Sequence, residues 1–335
     1  MNRWKFVWRL MPLLAVLAFL LTGCGEPNLS ALDPKGPVAR EQLFMIKLSI
    51  GIMIFVFVVV ISIYTYVLLR FSKRKGDKDI IPKQVEGSHL LEVIWTVIPI
   101  ILLIILAVPT VTYTFKHSED YTQNDDVLQV KVTAHQFWWQ FEYPQHGIVT
   151  AQDLVIPAGQ KVSFQVTASD VNHSFWVPAL GGKIDTNPGM MNVSHLEADE
   201  PGIYRGKCAE LCGASHALMD FKVVAKTEAD FLDWIEAMKK PATITADAAQ
   251  GEQIFKDNCL ACHAVGADGL SMGPNLTGFA DRELITGILE HNDENLKAWI
   301  RDPQAVKPGN KMPKVNLTEE QLDQLVKYLN QLTLK

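Results

Sequence analysis

The run Cys208-Ala-Glu-Leu-Cys212-Gly-Ala-Ser-His216-Ala-Leu-Met219 gathers two thiols, an imidazole and a thioether in one short segment. These are soft donors, and as a set they suit copper better than magnesium, calcium or manganese. The spacing lets one loop wrap a metal, and Gly213 frees the backbone to fold around it. A lone copper of the blue type needs one thiolate. Two thiolates predict instead a pair of coppers bridged by both sulfurs with a histidine on each, so a second histidine must come from elsewhere in the chain. His173, in Val171-Asn-His-Ser-Phe-Trp-Val-Pro178, is the candidate. Taken alone, a Cys-x3-Cys pair reads equally as a structural disulfide or half of a zinc site. A disulfide needs neither His216 nor Met219, however, and structural zinc rarely recruits methionine.

A second set of thiols stands near the C-terminal end. Cys259-Leu-Ala-Cys262-His263 has the pattern of c-type haem attachment, in which the two thiols add to the porphyrin and His263 becomes the proximal iron ligand. The far side of the iron calls for another ligand. Met312, in Lys307-Pro-Gly-Asn-Lys-Met-Pro313, is the candidate, and Met272, in Ser271-Met-Gly-Pro-Asn-Leu276, is the competitor. Methionine opposite histidine raises the reduction potential and closes the iron to oxygen, which favours electron transfer over catalysis. With Cys24 alone near the N-terminus, every cysteine has its own chemical reading and none is left for a disulfide framework.

The elements that must position these groups follow from the rest of the chain. Its 335 residues suffice for about two domains. A net charge of −6 argues against nucleic acid as a partner. Residues 1–23 have a basic start and a short apolar run, the layout of a secretory signal, ending at Leu21-Thr-Gly-Cys24. The alternative is an uncleaved anchor with an incidental buried cysteine. Two apolar stretches predict membrane-crossing helices over 46–70 and 90–113. The loop 71–89 between them carries Lys73, Arg74, Lys75, Lys78 and Lys83, so it is expected in the cytoplasm, with 24–45 and everything after the second helix outside. Glu92 sits just inside the cytoplasmic end of the second helix, where an ionisable group is either functional or a snorkelling carboxylate.

Over 127–226, short runs that alternate apolar and polar residues lie between Pro/Gly punctuation, as in 127–133, 137–143, 153–156, 161–167, 203–206 and 221–224. They predict an all-β sandwich or barrel. Phe231, Ile235 and Met238 recur at helical intervals, so 227–245 reads as a helix and linker. The remainder, 246–335, predicts a small helical domain: a first helix over 248–258 with Asp247 as its N-cap, and a last over 322–332 with Leu322, Leu325, Val326 and Leu329 on one face.

With Glu210 between the cysteines, the copper loop resembles the CuA motif of cytochrome c oxidase subunit II, Cys-x-Glu-x-Cys-x3-His-x2-Met. The β domain accordingly resembles a cupredoxin. The end of the signal resembles a bacterial lipobox, implying cleavage and lipidation at Cys24. Leu91-Glu92-x-x-Trp95-Thr96-x-x-Pro99 resembles the family pattern whose glutamate lies near the mouth of a proton path into subunit I. Leu180-Gly-Gly-Lys-Ile-Asp185 and the residues up to Asn192 resemble the segment facing subunit I. In the family the aspartate there lies near a magnesium or manganese ion, which the glutamate matching Glu210 ligates while its carbonyl serves a copper. Asp185 also reads as an ordinary turn aspartate. The chain departs from the family at Ala134-His-Gln-Phe137-Trp138-Trp139, where Phe137 replaces the tryptophan that receives electrons; Trp138 or Trp139 either takes that role or packs in the core.

From Asp247 onward the chain is similar to class I cytochromes c, including Trp299-Ile-Arg-Asp-Pro303 and the Gly-Pro-Asn-Leu stretch, which packs near the proximal histidine. The whole order, a two-helix hairpin, a CuA domain and a fused cytochrome c, is similar to subunit II of bacterial caa3-type oxidases. It implies a multi-domain membrane protein carrying binuclear copper and covalent haem c, which relays electrons from its own haem or a separate cytochrome c to subunit I. Dioxygen reduction and proton pumping would take place there, and no catalytic oxygen-reducing residue belongs to this chain. A quinol oxidase subunit would lack the copper ligands, and nitrous oxide reductase would leave the hairpin unexplained. The alternative, a membrane-anchored electron carrier outside any oxidase, would show the same relay cofactors; Glu92, Asp185 and Glu210 favour the oxidase, because a solitary carrier has no need of groups aimed at a neighbouring subunit.

Overall fold

A computed structural model describes residues 28–72, 84, 86–266 and 272–334, with scattered positions before 28. Cys24, most of the signal segment and the basic stretch 73–83 lie outside the described residues.

Two helices open the described chain. Helix α1 (Pro37–Phe71) starts with proline in its first turn, where the missing N–H costs nothing, and α2 is His89–His117. At 1.5 Å per residue, the 35 residues of α1 span about 50 Å against a hydrocarbon core of about 30 Å. Both helices are long and apolar enough to cross a membrane, and their apolar windows are not buried within the chain. They exceed the expected 46–70 and 90–113 because their outer turns belong to the β domain. Val38 and Ala39 are buried there, the Ala39 amide donates to the Leu180 carbonyl, and the Lys35 amide donates to that of Ala179. Lys116 and His117, at the end of α2, face Glu41 of α1. Hairpin and sandwich are therefore fastened together at the outer turns of the two helices.

The next domain is a sandwich of two five-stranded sheets. One runs β3 (Ile148–Ala151), β2 (Trp138–Tyr143), β1 (Leu128–His135), β5 (Val162–Ala168), β8 (Asn192–Leu196); the other runs β4 (Asp153–Pro157), β10 (Asp220–Lys226), β9 (Gly202–Cys208), β6 (His173–Trp176), β7 (Ile184–Thr186). Alternation sets which side chains go inside. Trp139 and Phe141 of β2 meet Phe175 and Phe221 of the opposite sheet, and Val130, Val132 and Ala134 of β1 with Tyr143 of β2 are buried in the same core. The phenol of Tyr143 accepts from the Val155 amide and donates to its carbonyl, which joins the two sheets. This is a cupredoxin-like sandwich. Strands β3, β6, β7 and β8 were not expected; each has five residues or fewer, and short strands often carry no alternation that sets them apart from loop.

Helix α3 (Glu228–Met238) is capped by the Thr227 hydroxyl and buries Phe231, Ile235 and Met238. The C-terminal domain is helical: α4 (Ala249–Asn258), α5 (Asp293–Arg301), α6 (Pro303–Val306) and α7 (Glu319–Leu329), with a small hairpin of β11 (Leu284–Ile285) and β12 (Leu289–Glu290). Asp247 does not cap α4. It lies in a preceding 3-10 turn and pairs with Lys327 at 2.7 Å. The last helix begins earlier than 322, where Thr318 and Gln321 form a capping box, and it ends at Leu329. Leu322, Leu325, Val326 and Leu329 are buried on its inner face.

Candidate metal centres

Three elements deliver the copper-type donors. Strand β9 ends at Cys208, β6 begins at His173, and the loop between β9 and β10 supplies Cys212, His216 and Met219. The two sulfurs lie 3.8 Å apart as free thiols. His173 Nδ1 stands 3.8 Å from the Cys208 sulfur, and His216 Nδ1 stands 3.6 Å from that of Cys212. Met219 Sδ is 3.8 Å from Cys212, and the Glu210 carbonyl is 3.3 Å from Cys208. The donors thus form a central sulfur pair with one imidazole at each end.

The electrostatics fit a cationic occupant. A hydrogen bond with Cys212 draws the Cys208 thiol far below its usual value, and that same contact pushes Cys212 up. Two adjacent thiols do not readily become two thiolates without positive charge between them, and thiolate is the form that binds metal. Burial opposes charge on His173, but hydrogen bonds to Asp170 and Cys208 outweigh it and raise its pKa.

Sequence reasoning missed the groups that orient these ligands. His173 Nε2 meets the Asp170 carboxylate at 2.9 Å, leaving Nδ1 turned to the sulfurs. That is how metal-ligating histidines are held. Asp170 also accepts from the Gln136 and Val171 amides and from Lys311 of the C-terminal domain. Burial opposes ionisation of Asp170; these bonds overcome it and hold the carboxyl well below the ordinary range. The Gln136 side chain donates to the Cys212 carbonyl at 2.6 Å. An aspartate three residues before the histidine was the one signal available to find this shell.

Among the aromatics, Trp139 is fully buried edge-on to His173, while Trp138 stacks on His135 at 4.1 Å and is half-exposed. Phe137 is buried with its ring against Gly213 of the copper loop. Asp185 is exposed, and its carboxylate is bonded to Lys183 at 2.8 Å. Lys183 also feels the charge of Glu210, so the two carboxylates share one edge of the domain. Glu92 is exposed in the first turn of α2, 3.7 Å from His89.

In the C-terminal domain, Cys259 and Cys262 are free and half-buried after α4. His263 Nδ1 is bonded to the Pro274 carbonyl at 2.9 Å, which leaves Nε2 for a metal. Burial lowers the His263 pKa, keeping the ring neutral as a ligand must be. Gly273 lies against this ring: a Cβ there would come 3.1 Å from the imidazole. Met272 therefore belongs to the segment that packs against His263, and it is 80% exposed. Met312 is half-buried, its amide bonded to the Asn310 side chain.

Family models match three parts of the chain: the transmembrane domain of cytochrome c oxidase subunit II over 28–112, its periplasmic domain over 148–226, and cytochrome c over 248–333. Cytochrome c oxidase subunit 2 of Alkalihalophilus pseudofirmus is 52% identical, with 99% of each chain covered. Its counterpart from Bacillus sp. strain PS3 is 53% identical over 98% of each. The solved periplasmic domain of subunit II of cytochrome oxidase from Bradyrhizobium japonicum is 34% identical over 32% of this chain and 91% of that one, with a TM-score of 0.31. The copper donors, the haem motif and the hairpin thus come together in one chain, which belongs to the cytochrome c oxidase subunit II family in its caa3-type form with a fused cytochrome c domain.

Proposed function

We propose that this subunit is the electron-input arm of its oxidase, passing electrons from its own haem domain, or from a separate cytochrome c, toward subunit I, where dioxygen is reduced to water with proton translocation. The observation that carries this reading is the sulfur pair at 3.8 Å with His173 and His216 at opposite ends. His173, Cys208, Cys212, His216, Met219 and the Glu210 carbonyl would hold a binuclear CuA centre. Cys259, Cys262, His263 and Met312 would hold haem c. When bound, both groups would supply one-electron chemistry, and methionine opposite histidine would favour electron transfer over oxygen binding at the haem.

The residues of the chain supply rigidity. Asp170 fixes the His173 ring, Gln136 fixes the Cys212 carbonyl, and the Pro274 carbonyl fixes His263. Fixed ligands move little when an electron arrives, which keeps reorganisation small. Assignment of Met312 over Met272 is supported by the packing of Met272's segment against His263. Glu92 is proposed as the opening of a proton path, and Glu210 with Asp185 as the edge that takes magnesium or manganese against subunit I, displacing Lys183. The copper and haem domains would face outward from the cell membrane, with lipid on Cys24 and loop 71–89 in the cytoplasm.

The test is purification of the whole complex in mild detergent. Two coppers in this chain per haem c, a mixed-valence copper signal, and oxygen uptake stimulated by added cytochrome c are expected. A correctly matured exterior portion with one copper or none, and no mixed-valence signal, would overturn the proposal.

A further inference from the structure

Among the described residues, Leu334 of the cytochrome domain packs against the core cluster of the copper domain, and three sets of polar contacts join the two domains in a way that a loosely tethered domain would not. At the first, the turn of the β11–β12 hairpin enters the sandwich. Gln152 donates to the Thr286 carbonyl at 2.9 Å, and Glu283 pairs at 2.8 Å with Lys222, which is only 4% exposed. Gly287 has φ +82°, and a Cβ on it would fall 2.5 Å from the Gln152 amide nitrogen and 2.6 Å from the Asp220 carbonyl. Only glycine fits both the backbone and the gap.

At the second, Lys307 is 3% exposed and its ammonium donates to the Phe137 carbonyl at 2.9 Å and the Thr286 carbonyl at 2.8 Å, one from each domain. Ser215, next to His216, donates to the Pro308 carbonyl at 2.7 Å, and Gly309 lies over Phe137 and Ala214. At the third, Lys311 pairs at 2.9 Å with Asp170, the carboxylate that holds His173. A buried cation is tolerated only where fixed acceptors replace its water, and here half of those acceptors lie across the boundary.

We infer that the cytochrome domain is seated on the copper domain by this three-point contact instead of swinging on linker 239–245, so that segment 307–311, which leads into Met312, lies across the copper loop. The inference rests on the relay reading and deepens it. The Phe137 side of the loop is closed by the chain's own cytochrome domain, and an external donor approaching that side meets the cytochrome domain first.

The test uses the full complex with both cofactors and two variants remote from every proposed ligand, Glu283→Lys and Gly287→Val. If Gly287→Val damages the hairpin, Glu283→Lys, which sets a second cation against buried Lys222, still separates the outcomes. Deuterium uptake is read over 136–139, 213–216 and 303–311, and copper reduction is followed after photoreduction of the haem. In the wild type these segments are protected and the transfer rate is independent of solvent viscosity. In the variants, uptake rises and transfer slows, each at least tenfold, with copper and haem spectra unchanged. Wild-type segments exchanging at the unprotected rate, a wild-type transfer rate that falls with viscosity, or variants that alter neither readout would overturn the seating. Protected segments with no haem-to-copper transfer at all would uphold the seating and remove the relay reading on which it rests.

Discussion

At the scale of single residues, Asp170 is the position where geometry adds most to the donor list. Its carboxylate fixes which nitrogen of His173 faces the sulfurs. Replacing it by alanine leaves the buried imidazole free to turn and should lower copper retention about 10- to 100-fold, the usual cost of removing a partner of a metal-bound histidine. Copper per protein after dialysis against a chelator, together with the mixed-valence signal, measures this; retention equal to wild type would discard the role. The haem ligand gives a second prediction. Met312→Ala should abolish the methionine-to-iron absorption band while Met272→Ala keeps it, and the opposite pattern would reverse the assignment. The donors were legible because metals demand particular atoms at particular intervals. Asp170 was not, since an aspartate in a Ser-Asp-Val-Asn stretch looks like any turn residue until His173 is seen beside it.

At the scale of elements, the periods of strand and helix carried most of the architecture. Long alternating strands such as β1 and β2 announce themselves, while β6, which bears His173, has only four residues and no readable period. Helix contacts are similarly silent in sequence. Helix α4 crosses α7 at Gly251, where a Cβ would come 2.0 Å from the Gln324 carbonyl and 2.8 Å from Tyr328. A side chain there must push two helices apart, so Gly251→Val should destabilise the cytochrome domain by about 3 kcal/mol, the upper end for overpacking. Thermal unfolding followed at the haem absorbance checks this. An unchanged midpoint would mean that the close approach is absent in solution. The C-terminal helix carries a milder test: Thr318→Ala removes half of the capping box and should cost about 1 kcal/mol in the same measurement.

At the scale of the whole molecule, the order of domains was readable but their seating was not, because Lys307 and Phe137 are 170 positions apart and nothing in the stretch around either one points to the other. Seating has a consequence in pH. Burial pushes Lys307 down to about 7, with Asp220 and Cys212 only partly offsetting it, whereas a free lysine titrates near 10.4. Between those values the seated form binds fewer protons than the unseated one, so seating tightens as pH rises from about 7, by at most about tenfold per unit. Below about 7 the lysine is charged in both forms and the dependence disappears. Lys307→Met removes the titrating group, so the wild type should gain unfolding temperature over this variant between pH ~6.5 and pH ~9. Parallel pH profiles for the two proteins would show that Lys307 is solvated in solution, with the cytochrome domain held by its linker and the other contacts alone.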